Sequence, residues 1–106
     1  MIEAAIICLA LNIYHEARDQ PVLGQIAVSQ VVLNRVNDPR YPNSVCRVVR
    51  QAKYSKKTRQ PIKWECSFSW FCDGKSDKVK DLDAYRWALT LSGRILRGEF
   101  APLVDG

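Results

Sequence analysis

Three kinds of side chain in this sequence have the reactivity to do chemistry: a glutamate in an unusual setting, the single histidine beside it, and four cysteines. The glutamate, Glu16, lies in the segment NIYHEAR, directly after the apolar run IEAAIICLAL. On a helix each residue advances about 100°, so Ile2, Ile6, Leu9 and Ile13 form one stripe and Glu16 projects only about 50° from its centre. His15, by the same count, points well away. A carboxylate at the edge of apolar surface loses hydration, which favours its neutral form and raises its pKa towards the range of a general acid. The competing reading makes Glu16 a boundary residue whose head reaches water.

Other chemistries are less well provided for. A nucleophilic triad needs a separated base, and His15 sits directly beside Glu16. Neither standard Gly-rich phosphate loop occurs. Zinc is disfavoured because there is no CxxC and only one histidine, so no metal site is expected. Cys8, Cys46, Cys66 and Cys72 admit three pairings; on the first helix Cys8 reads as a small buried thiol, and a bridge among the other three is possible in an oxidising compartment. Glycoside cleavage needs an acid and commonly a second carboxylate. Only Glu16 is obviously placed for it.

The elements that must position these residues are mostly helical. Asp19 or Gln20 can cap, and Pro21 suits the first turn of, a second helix running through PVLGQIAVSQVVLNRV to about Val36. Its apolar residues spread nearly all the way round, which predicts a central, buried helix. Gln30 and Asn34, four apart on one side, form either a satisfied buried pair or part of a cleft wall. NDPRYPNS is a turn, and Asn43 or Ser44 can cap a short helix through VCRVVRQA. In CSFSWFCDG the alternation of Cys66, Phe68, Trp70 and Cys72 against Ser67 and Ser69 predicts a short strand or hairpin, with Asp73-Gly74 supplying a turn. From about Asp81 a final amphipathic helix turns Leu82, Tyr85, Ala88, Leu89, Ser92, Ile95 and Leu96 inward and stops at Gly98.

With 106 residues, 47% hydrophobic and 25% charged, the chain is one soluble domain with a single modest core. Its N-terminal apolar run is too short to cross a bilayer and lacks basic flanks and a cleavage pattern, so neither a membrane span nor a signal peptide is expected. The net charge of +5 favours an anionic partner. Much of the excess lies in KYSKKTRQPIK, Lys53 to Lys63, which reads either as a solvated loop or as a binding surface, with Tyr54 and Trp64 available for a noncatalytic module that binds wall polymer or nucleic acid.

The blocks NIYHEAR, GQIAVSQVVLNRV, YPNSVCRVV and CSFSWFCDGK, in this order and at these spacings, resemble the SleB-type cell-wall hydrolases, the spore cortex-lytic enzyme family that also includes phage endolysin members. The resemblance runs from about Leu9 to Gly98. It implies a mainly α (α+β), small lysozyme-like domain of about four helices with a short β-hairpin, occupying residues 1–106. It further implies cleavage of peptidoglycan between N-acetylmuramic acid and N-acetylglucosamine, as a lytic transglycosylase or a muramidase, with Glu16 as general acid and then base. In a transglycosylase the substrate's own 6-hydroxyl is the nucleophile, which would account for the missing second carboxylate. The implied sugar contacts are Ser67, Phe68, Ser69, Trp70, Tyr14 and Asn34; the competing reading puts Phe68 and Trp70, on one strand face, in the core and leaves Ser67 and Ser69 facing the groove. Peptidoglycan is the expected partner, for a monomer without cofactor and without nucleic acid, acting at the bacterial wall, in the periplasm or outside the cell, after phage-encoded release or as a fragment of a larger secreted protein. Family members usually continue into a Gly-Ala-Thr-His-Tyr-His-like block where this sequence has APLVDG, which implies either truncation or a groove closed differently.

Overall fold

In the computed structural model, which describes residues 2–103, the first apolar run forms helix α1 (Ile2–Ala17). Leu9, Ala10, Asn12, Ile13, Tyr14 and Ala17 are all buried, and α1 packs against each of the other helices. The small side chains of Ala10 and Ala17 let neighbours approach α1 on a second side, so it is buried well beyond the stripe of large residues. Ile2, counted in that stripe, is 56% exposed.

Helix α2 (Val22–Val36) corrects two expectations. Pro21 occupies the N-cap position rather than the first turn, and neither Asp19 nor Gln20 caps the helix. Only Gln25, Ile26, Ser29 and Val32 are buried on it, while Val22 and Leu23 face solvent. The centre is therefore α1. A helix whose valines and leucines cover its flanks looks apolar all round, yet here those flanks are only half-buried.

Helix α3 (Val45–Val49) starts where Ser44 Oγ accepts the Arg47 amide. Helix α4 (Leu82–Leu96) starts where Asp81 accepts the Ala84 amide at 3.0 Å, and it ends at Gly98, whose φ of +76° glycine adopts without strain. Ala88, Ser92 and Ile95 are buried as the pattern predicts, and so is Leu91, outside that pattern; Leu82, in the first turn, is exposed. The core cluster joins Leu9 and Ile13 of α1 to Ile26 and Val32, Val48 and Val49, and Leu91 and Ile95 of the other helices, with Trp70.

Between α3 and α4 the chain makes an antiparallel hairpin, β1 (Ala52–Tyr54) with β2 (Pro61–Cys66), pairing Ala52 with Cys66 and Tyr54 with Pro61. The hairpin thus uses the basic segment. The predicted strand through CSFSWFC ends at Cys66, and Ser69–Cys72 form a 3₁₀ turn instead. A disulfide joins Cys66 to Cys72 with their Cα atoms 6.1 Å apart. An extended chain would separate them by about 20 Å, so the bridge and the strand exclude one another. A second disulfide joins Cys8 to Cys46, and the expected buried thiol at Cys8 is therefore a crosslink from α1 to α3. Asp73-Gly74 forms the predicted turn, with Gly74 at φ +79° and the Lys75 amide on Asp73 Oδ1.

Candidate active site

Glu16 is the penultimate residue of α1, and the fold holds that helix end from three sides. From α2, the buried Gln25 donates to Ala17 O at 3.1 Å and Arg18 O at 3.4 Å, carbonyls that helix geometry leaves without intrahelical partners. Its Oε1 accepts Trp87 Nε1 of α4 at 2.8 Å. From the 3₁₀ turn, Trp70 Nε1 donates to the fully buried Asn12 at 2.8 Å. From the segment before α4, the amides of Lys80 and Asp81 both donate to Tyr14 Oη, which also accepts from Arg18. The Asp81 amide, foremost among these donors, draws the phenol's pKa below its usual value.

Replacing Gln25 by Leu should cost about 2 kcal/mol, because it leaves the Arg18 carbonyl and the Trp87 indole without this partner and Ala17 O with the Gln20 amide alone. Urea unfolding reads this directly. An unchanged midpoint would show that the amide does not hold the helix end.

Glu16 itself is exposed, rather than partly buried as its helical position suggests. Among the described residues it has no hydrogen bond and no ion pair. Residual desolvation of its carboxyl pushes the pKa above the ordinary glutamate value, and the charge of His15 opposes that rise. His15 therefore does not point away from the site. It stacks on Trp70 with ring centroids 4.5 Å apart, meets the edge of Tyr14, and places Nε2 3.1 Å from Asp77 O. The Asp77 carboxyl is also raised by desolvation and opposed by the same imidazole.

The expected sugar contacts divide by burial. Tyr14 and Trp70, 3% and 8% exposed, are packed into the α1 end and offer no open ring face. Ser67 and Ser69 are exposed, and Phe68 is half-buried with the Arg35 guanidinium over its ring. Ser67 bonds Gln51 Oε1 at 3.1 Å and lines a cleft on the hairpin side. Asn34 is half-buried on α2, whereas Gln30 binds the last described segment, donating to Ala101 O and accepting from Leu103 N. Gln30 and Asn34 are thus not a closed buried pair. Sequence reasoning missed Asn12 and Gln25, whose signal was a polar residue inside an apolar helical run, and Asp77, which carried none.

A family model described as Cell Wall Hydrolase matches residues 19–105, beginning three residues beyond Glu16. Curated relatives match over a shorter stretch. A spore cortex-lytic enzyme of Bacillus subtilis (strain 168) is 51% identical over 41 residues, which is 39% of this chain and 13% of that protein. One from Halalkalibacterium halodurans is 46% identical over 41 residues, 39% of this chain and 12% of its own length. A third, from Bacillus cereus, is 46% identical over 41 residues, again 39% of this chain and 16% of the relative. No solved structure matches.

Proposed function

This chain belongs to the cell wall hydrolase family, and from that premise we propose that it cleaves the glycan strand of peptidoglycan between N-acetylmuramic acid and N-acetylglucosamine. The observation that carries the reading is Glu16: an unpaired carboxyl with raised pKa, reachable from solvent, on a helix end that three other elements hold in place.

Protonated Glu16 donates to the glycosidic oxygen, and the bond to C1 breaks with its electron pair leaving on that oxygen. The resulting carboxylate takes the proton of the muramic 6-hydroxyl as that oxygen bonds to C1, leaving a 1,6-anhydro end. Glu16 serves first as acid and then as base, and no other protein carboxylate is required. Ser67, Phe68, Ser69 and Asn34 contact the sugars, while Tyr14 and Trp70 position the helix end and His15. The site works at the bacterial wall, outside the cytosol, in keeping with the two disulfides. Among the described residues no helix is long and apolar enough to cross a membrane.

One observation favours a second reading, muramidase-type hydrolysis. Asp77, its carboxyl raised by desolvation, feels the same His15 charge as Glu16 and has its backbone O 3.1 Å from His15 Nε2, and in this reading it activates a water. Mass spectrometry of digested peptidoglycan separates the two. An anhydro end, with Asp77→Asn still active, is the expected result; a reducing end whose formation is lost in Asp77→Asn selects hydrolysis. Release of free peptide alone would overturn both.

A further inference from the structure

Away from Glu16, α3 and the hairpin carry a concentration of charge that the cleavage chemistry does not use. Between Pro42 and Cys66 the chain has seven cations, Arg47, Arg50, Lys53, Lys56, Lys57, Arg59 and Lys63, against the single acid Glu65. Every one of the seven is exposed. Among the described residues only Lys53 has an ion-pair partner, Glu65 at 3.8 Å. Mutual repulsion of cations left without counter-charges disfavours the folded arrangement until an anion neutralises them.

The surface is shaped as well as charged. Pro42, Arg47, Arg50 and Tyr54 line a cleft of about 360 Å³. The hairpin tip is ordered: Ser55 O accepts the Arg59 amide at 2.9 Å, and Ser55 Oγ accepts the amides of Lys57 and Thr58. Tyr54 is 51% exposed and Trp64 63%. The β2 register shifts opposite Ala52 and Tyr54, and within that irregularity Trp64 takes φ +68°. Tryptophan rarely adopts that conformation, and bulges commonly re-aim a side chain. Here the result is an open indole with Lys63 Nζ 5.3 Å from its ring centroid.

We propose that this face is a second binding site, separate from Glu16, for a phosphodiester-linked anionic polymer of the bacterial cell wall. Arginine forks and lysine ammoniums match phosphate groups repeated along a chain, and the open faces of Tyr54 and Trp64 suit the carbon surfaces of polyol or sugar repeats between them. A wall polymer is favoured over nucleic acid because both disulfides place the chain in an oxidising compartment and its family acts on walls. The separation from Glu16 follows from the crosslink: Cys46, beside the cleft, is bonded to Cys8, eight residues and about 12 Å along α1 from Glu16. The proposal rests on action at the wall but not on which bond Glu16 cleaves.

The test is retention on purified walls before and after chemical removal of their phosphodiester polymers, and binding of isolated polyglycerol phosphate. The parent and Glu16→Gln should bind intact walls equally, which separates this site from catalysis. Lys56→Gln/Lys57→Gln/Arg59→Gln should lose about tenfold in retention at low salt, with turnover of short neutral glycans unchanged. Trp64→Asn, compatible with positive φ, should weaken polyglycerol phosphate binding without unfolding the hairpin. Equal retention on stripped walls, full retention by the triple variant, or DNA displacing polyglycerol phosphate at lower concentration would each overturn the proposal.

Discussion

Glu16→Gln should lower wall lysis by about a thousandfold and leave the fold as stable as the parent, or more stable, near pH 7. Glutamine keeps the shape of the side chain but can neither give nor take the proton that cleavage moves. The stability half follows from the direction of the pKa. Desolvation raises the Glu16 carboxyl, and the charge of His15 only partly offsets it. A raised folded pKa means that the native state holds the proton more tightly than the unfolded chain. The resulting penalty sets in as pH rises past the unfolded value and is complete above the folded one. The neutral amide escapes it. Thermal unfolding of both proteins from pH 4 to 8, beside a lysis assay, reads both halves. The parent's lysis should decline as pH climbs above the ordinary glutamate range. A Gln variant that still lyses walls, or is markedly less stable at pH 7, would make Glu16 a structural residue rather than the catalytic acid.

The second large effect concerns the crosslink between α1 and α3. Replacing Cys8 and Cys46 together by alanine frees a loop spanning a sequence separation of 38, and the chain-entropy relation puts the loss at about 4 kcal/mol. For a domain of this size that corresponds to a melting temperature lower by about 15–30 °C. The Cys66 and Cys72 pair closes a loop only six residues apart, so its removal should cost less, about 2 kcal/mol. Calorimetry of the two double variants ranks them. A smaller loss for the Cys8/Cys46 variant than for the Cys66/Cys72 variant would contradict this ordering.

What the sequence made legible was local. The cap at Ser44, the start of the last helix at about Asp81, the stop at Gly98 and the Asp73-Gly74 turn depend on a few neighbouring residues, and each forms as its residue type dictates. The mainly helical class and the hairpin were legible too, although not where the hairpin lies. Alternation in CSFSWFC looked like a strand because periodicity cannot register a covalent bond between its two cysteines. The centre of the fold was misjudged for a related reason. Counting large apolar side chains favoured α2, while the small residues of α1 let more than one element close on it. At the site, Glu16 could be singled out from its offset to the stripe, but not the groups around it. His15 and Asp77 are 62 residues apart and meet only through the fold. Tyr14 looks like a sugar platform in sequence, and Trp70 reads equally as platform or core, because aromatic type says nothing about which face is already covered.

The fastening of α1 bears on how the molecule comes apart. Its middle is bonded covalently to α3, and its last carbonyls are held by Gln25. Tyr14 and Asn12 tie it to the segments on either side of the 73–80 loop. Partial openings in a protein run through segments with few such ties, and the segment carrying Glu16 is not one of them. Fraying belongs instead to the exposed hairpin, whose loss leaves the acid where it is. The segment carrying Glu16 therefore belongs to the last cooperative unit to yield, and warming removes its geometry in a single step with the domain rather than by gradual loosening.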